Sequence, residues 1–153
     1  PFGILLGLEQ AGVLGNVDLI VAESSGAAAG IYGVGRRLDK GVKFLKNFVE
    51  KGVKMRFPPM DFDMLENGIR ADFDEETLKN LRESPTEFLV GVTDVETGQA
   101  RFFDPRKMAD QIMPAMASMA QPFLCGFRTY SVEGRKCYEG GWSDPLPIKK
   151  ALQ

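Results

Sequence analysis

Apolar residues at Phe2, Ile4, Leu5, Leu8 and Ala11 recur at roughly helical period, so residues 2–11 predict a first helix with Gly12 as its stop. Residues 17–22 (V-D-L-I-V-A) form a short apolar run of strand length, of the kind a buried parallel strand carries. Residues 27–38 are small and apolar and predict a helix. In residues 39–51, Val42, Phe44, Leu45, Phe48 and Val49 alternate with Lys and Glu, the pattern of an amphipathic helix. Phe57-Pro58-Pro59 breaks that pattern, and residues 61–67 predict a short helix. Asp74 opens another, with Glu75 and Glu76 in its first turn, running to about Glu83. Residues 87–93 predict a strand, 94–98 a turn and 99–103 a returning strand. Asp104-Pro105 reads as an N-cap followed by Pro at the first helical position, with the helix running to about Met113. Pro114 starts a further short helix ended by Pro122. Residues 127–132 and 135–138 flank Glu133-Gly134 as a hairpin, and a last helix begins near Ile148. Strands alternating with helices favour α/β layers, and no repeat or linker interrupts them.

Composition narrows the function. The chain has 153 residues, 44% apolar and 26% charged, which fits one globular domain with a real core. A net charge of -2 without a block of like charges argues against a nucleic-acid partner. No apolar run reaches the roughly 18 residues of a membrane span. Two cysteines, Cys125 and Cys137, make no disulfide framework and point to a cytoplasmic location. With no histidine beside them, a zinc site is not expected. The absence of histidine also excludes a Ser-His-Asp triad within the stretch. Starting at Pro1 inside a helix and stopping at Gln153, the stretch reads as part of a longer domain, incomplete at both ends.

Val21 to Gly30 (V-A-E-S-S-G-A-A-A-G) joins the first strand to the second helix. A nucleophile elbow needs this strand, sharp turn and helix, with small residues where the two backbones approach; its usual spelling is G-x-S-x-G. Here Ala22-Glu23-Ser24-Ser25-Gly26 puts Ser24, not Ser25, at the nucleophile position, with Ala22 replacing the first glycine. The alternative is an ordinary small-residue turn. Glu23 beside an oxyanion site is expected to point into solvent. A second stretch, Glu139-Gly140-Gly141, places an acid on a tight loop, and taken alone is only a turn.

Together the two segments resemble the patatin-like phospholipase family in its bacterial branch, which pairs a G-x-S-x-G elbow with a distant D-G-G or D-G-A. The likeness extends to Gly3 to Gly12, to Ser84 to Phe88 with Thr93 to Gly98, and to Ala117 to Pro122. It implies an α/β protein with a three-layer α/β/α fold built around a serine elbow. The implied activity is serine-dependent hydrolysis of lipid acyl esters, phospholipase A-like, with no metal or organic cofactor. The implied dyad is Ser24 with Glu139, flanked by Gly140 and Gly141; Ser25, Gly26 and Ala22 shape the elbow, and the Ser25 amide faces the oxyanion. The family's glycine-rich oxyanion loop would lie before Pro1. Glu139 stands where the family has Asp, and its extra methylene moves the carboxylate by about 1 Å unless the loop adjusts. Asp144 is the weaker substitute base. The runner-up is a relative that keeps the fold, has lost the chemistry and binds lipid or a protein partner.

Other features read more simply. Met113, Met116 and Met119 are core before they are an acyl channel. Gly30, Gly33 and Gly35 lack the spacing of a dinucleotide loop. Cys137 is a structural thiol. Lys40, Lys43, Lys46, Lys51 and Lys54 form a solvated helix face, the sharper alternative being transient attraction to an anionic membrane surface. Oligomeric state is not legible.

Overall fold

A computed structural model describes residues 1–153. Its elements are α1 (Phe2–Gln10), β1 (Leu19–Ala22), α2 (Ser25–Val34), α3 (Leu38–Lys51), α4 (Phe62–Asp72), α5 (Glu75–Arg82), β2 (Glu87–Asp94), β3 (Ala100–Phe103), α6 (Met113–Met119), α7 (Pro122–Cys125), β4 (Tyr130–Val132), β5 (Arg135–Tyr138) and α8 (Ile148–Ala151). They form a three-layer α/β/α fold around a mixed five-stranded sheet.

β2 organises the sheet. β1 pairs with it in parallel, Ala22 opposite Val90, and β5 pairs antiparallel, Tyr138 opposite Thr93. β3 pairs antiparallel with Val90 to Thr93. A strand has two edges, so β3 takes one while β1 and β5 share the other. β1 and β5 therefore run toward each other along β2 and stop with only Gly91 and Val92 between their registers. The chain leaves the sheet at both stops, and the two implied site motifs, 22–26 and 139–141, begin there.

Strand periodicity puts Phe88, Val90 and Val92, all fully buried, on one face of β2. Gly30 of α2 lies against the Phe88 ring; a methyl there would sit 2.5 Å from it. These residues join a cluster of 24 buried apolar residues that includes Ile31, Tyr32, Ile69 and Met116. On the opposite face the Thr93 hydroxyl holds the 3₁₀ turn Gly140–Trp142, and α8 contacts β1. Asp94, buried at the end of β2, accepts from Arg101 at 2.7 Å and from the Glu96 and Thr97 amides; these hold its carboxyl down at about 2 and fix the 94–98 turn.

Three sequence expectations change. The helix expected over 27–38 stops at Val34, because the chain turns through Gly35 and Arg36, whose φ is 59°, before α3 begins. The helix expected from Pro105 to Met113 is only a 3₁₀ turn, Pro105–Lys107. Asp110 Oδ1 captures the Ile112 and Met113 amides and starts a new helix instead. α4 runs five residues beyond the expected end at Asn67, carried by buried Ile69 and by Arg70, which pairs with Glu66 and Asp110. The other expected elements agree to within three residues, including the Glu133-Gly134 hairpin, where both residues take positive φ. α7 was not expected, because Pro122, read only as the end of a helix, also opens one, with Gln121 Oε1 accepting from the Leu124 amide.

Candidate active site

Ser24 sits at the turn between β1 and α2 with φ 50° and ψ −127°, a conformation rare for any residue with a side chain. Such strain persists only where surrounding contacts enforce it. Here the Ser24 amide donates to Ser118 Oγ at 2.8 Å, and Ser118 is fully buried on α6. Sequence reasoning assigned Ser118 no role; a buried serine in a helix of alanines and methionines is the signal that was there to find. The first amide of α2, that of Ser25, has no acceptor in the protein. It is a free donor at a helix N-terminus, one residue from the Ser24 hydroxyl.

From the other side of the gap, β5 delivers Glu139. The Ser24 hydroxyl donates to Glu139 Oε2 at 3.2 Å, and the Gly141 amide donates to Oε1 at 3.3 Å. Thr93 pins the loop by donating to the Glu139 carbonyl at 2.7 Å and lies 2.8 Å from Ser143 Oγ. The Glu139 side chain is buried, and burial raises its carboxyl above the ordinary range while the Gly141 and Ser24 donors pull it back. The longer side chain thus still reaches the serine, and Glu139 rather than Asp144 is its acceptor.

The glycines divide sharply. A methyl on Gly140 would stand 2.3 Å from the Gly91 carbonyl oxygen, so no other residue fits that turn. A methyl on Gly26 would meet only Ala22 Cβ, at 3.7 Å, an ordinary contact. Ala22 therefore packs without strain where the motif usually has glycine.

Glu23 does not point into solvent as expected. Its Oε1 lies against Gly91, in the gap between β1 and β5, and both carboxyl oxygens are buried without a partner. Burial first, then the charges of Asp144 and Glu139, push it up to about 7.

Ser24, Glu139 and Gly141 open onto a cavity of about 820 Å³. Its walls are apolar: Phe44 and Phe48 from α3, Leu65 and Ile69 from α4, Tyr32, and Met119. That size lies within the ~300–1,000 Å³ of sites that bury small organic ligands. A serine hydroxyl on a carboxylate, a free amide beside it and an apolar cavity in front form a set suited to an ester of a fatty acid. A family model described as patatin-like phospholipase matches residues 1–152. The chain belongs to the patatin-like phospholipase family. None of the curated proteins matches it.

Membership places the chain in a family of lipid acyl hydrolases, which act on lipid substrates. The other sequence candidates, Met119 apart, stay outside the patatin-like site. Met116 is buried core, and of the three spaced methionines only Met119 reaches the cavity. Gly30 and Gly33 lie inside α2 and pack on Phe88 and Leu5. Cys137 is buried, its thiol raised by burial. Lys40 and Lys54 are tied to Asp74 and Asp61, which leaves Lys43, Lys46 and Lys51 as the solvated face.

Proposed function

We propose that this chain hydrolyses carboxylic esters of lipids with Ser24 as nucleophile and Glu139 as general base. The observation that carries the reading is the Ser24 hydroxyl donated to Glu139 Oε2, 3.2 Å away, at the mouth of the apolar cavity. Ser24 Oγ attacks the carbonyl carbon while its proton passes to Glu139. The carbonyl oxygen becomes an oxyanion and accepts from the free Ser25 amide. Collapse breaks the ester bond, and the departing alkoxide takes the proton from Glu139. Water then attacks the acyl-serine with Glu139 again as base; the fatty acid leaves and the proton returns to Ser24. Burial of Glu139 favours this work, because a raised carboxyl is a stronger base once ionised. The single apolar cluster supports reading residues 1–153 as one domain.

Hydrolysis of a medium-chain aryl ester and of a phosphatidylcholine tests the reading. Ser24→Ala and Glu139→Gln are each expected to lower turnover by at least ~10³-fold, with binding of a non-hydrolysable ether analogue retained. Equal turnover by Ser24→Ala would remove the mechanism. No turnover by any form, with the analogue still bound, would make this a lipid-binding relative.

A further inference from the structure

Beside the cavity mouth lies a row of exposed aromatic rings. Phe57, Phe123, Phe127 and Trp142 are 64%, 57%, 63% and 54% exposed. They are neighbours in space: Phe57 to Phe127 at 6.4 Å between centroids, Phe127 to Phe123 at 5.5 Å, Phe123 to Trp142 at 6.4 Å. With about half of each ring's roughly 200 Å² open, the row exposes about 400–500 Å², the size at which an apolar patch on a monomer is usually functional.

We propose that this row docks the protein on a phospholipid bilayer surface and delivers lipid to the cavity behind it. This rests on the acyl-hydrolase reading. Four observations favour a bilayer. The row is continuous with the cavity: Trp142 belongs to both, and half-exposed Leu124, next to Phe123, lines the cavity too. A lipid drawn out of a bilayer along the rings therefore meets Ser24 without crossing water. The residues are the large aromatics that settle at the boundary of headgroups and acyl chains. Arg56, beside Phe57, is exposed and makes no ion pair, so a cation stands ready for headgroup phosphates. Finally, Phe127 follows Gly126 with both in the left-handed region, φ 78° and 58°. A bulky residue is held in a rare conformation with its ring in solvent. The lysines of α3, which sequence reading offered as the membrane face, carry none of this continuity.

Trp142 is the single tryptophan of the chain, so the protein carries its own probe. The experiment records its emission as vesicles of phosphatidylcholine with phosphatidylglycerol are added, using Ser24→Ala to prevent turnover. A blue shift is expected, with quenching by phosphatidylcholine brominated along its acyl chains. Half of each exposed ring area entering lipid corresponds to about tenfold in partition per ring. Phe123→Ser is therefore expected to weaken vesicle binding about tenfold, and Phe57→Ser/Phe123→Ser further. Both should keep the wild-type melting temperature and, in the Ser24 form, hydrolysis of a soluble short-chain ester. An unchanged Trp142 spectrum would overturn the proposal. So would wild-type binding by both variants, loss of binding only in Lys43→Glu/Lys46→Glu, or a dimer in lipid-free solution that Phe123→Ser dissociates. Failure of Ser24→Ala to abolish hydrolysis would count against the dyad alone, since vesicle binding is read without turnover.

Discussion

Replacing Glu23 by glutamine removes the only carboxyl in the elbow that has no hydrogen-bond partner. In wild type this group is lifted from its ordinary 4.5 to about 7, by burial first and then by the charges of Asp144 and Glu139. Between those two values the folded chain keeps a proton that the unfolded chain has released. Stability therefore falls as pH rises from about 4.5 to 7 and is flat above. A displacement of this size corresponds to about 3 kcal/mol. The stem of the side chain is partly exposed and the neighbouring charges are screened, so about 1–2 kcal/mol is the expected effect. Glutamine does not titrate, and its amide adds an offset that pH does not change. The difference in unfolding free energy, variant minus wild type, is expected to grow by about 1–2 kcal/mol between pH 4.5 and 7. In a chain of this size that is about 2–8 °C in melting temperature. Urea unfolding followed by circular dichroism at several pH values measures it. Parallel wild-type and Glu23→Gln curves across the range would refute the reasoning, and so would a gap that narrows as pH rises.

Ser118→Ala deletes the acceptor of the Ser24 amide and is expected to cost about 1–3 kcal/mol in chemical unfolding. It should also lower kcat with KM little changed, as loss of a positioning contact does. Gly140→Ala is expected to prevent stable folding or to abolish turnover, because the Gly91 carbonyl occupies the space of the new methyl. Gly26→Ala should be neutral or up to about 1 kcal/mol stabilising in a thermal melt, since space is open and alanine favours helix. The pH profile of kcat/KM should show an acid limb above the ordinary carboxylate range, because Glu139 must be ionised and burial raises it. Glu139→Asp should retain an acid limb, and Glu139→Gln should leave no turnover to profile.

The elements that periodicity marks strongly were legible in the sequence. α1, α3, α5, β2 and the hairpin follow from helical or alternating patterns and from caps such as Asp74, which accepts from the Thr77 amide. What failed was local competition for backbone amides. Asp110 and Asp104 each offered the chain a side-chain acceptor, and the continuous helix expected after Pro105 dissolved into a turn and a restart. At the site, both motifs were readable, because strained turns need small residues and those are visible as letters. Their meeting was not, since it depends on β1 and β5 sharing one edge of β2. Thr93 and the buried side of Glu23 follow from that pairing, while Ser118 reaches the elbow from α6. The aromatic row was hidden for a related reason: Phe123 and Phe127 are four residues apart, but Phe57 and Trp142 reach them from distant stretches of the chain.

The most direct test is covalent trapping of the nucleophile with an alkyl fluorophosphonate, read by mass spectrometry of the digested protein. The expected result is one adduct, on Ser24, that is lost in Glu139→Gln and prevented by a long-chain fatty acid occupying the cavity. An unmodified Ser24 under conditions that label an active serine esterase, or an adduct on Ser25 or Ser118 instead, would contradict the Ser24–Glu139 assignment.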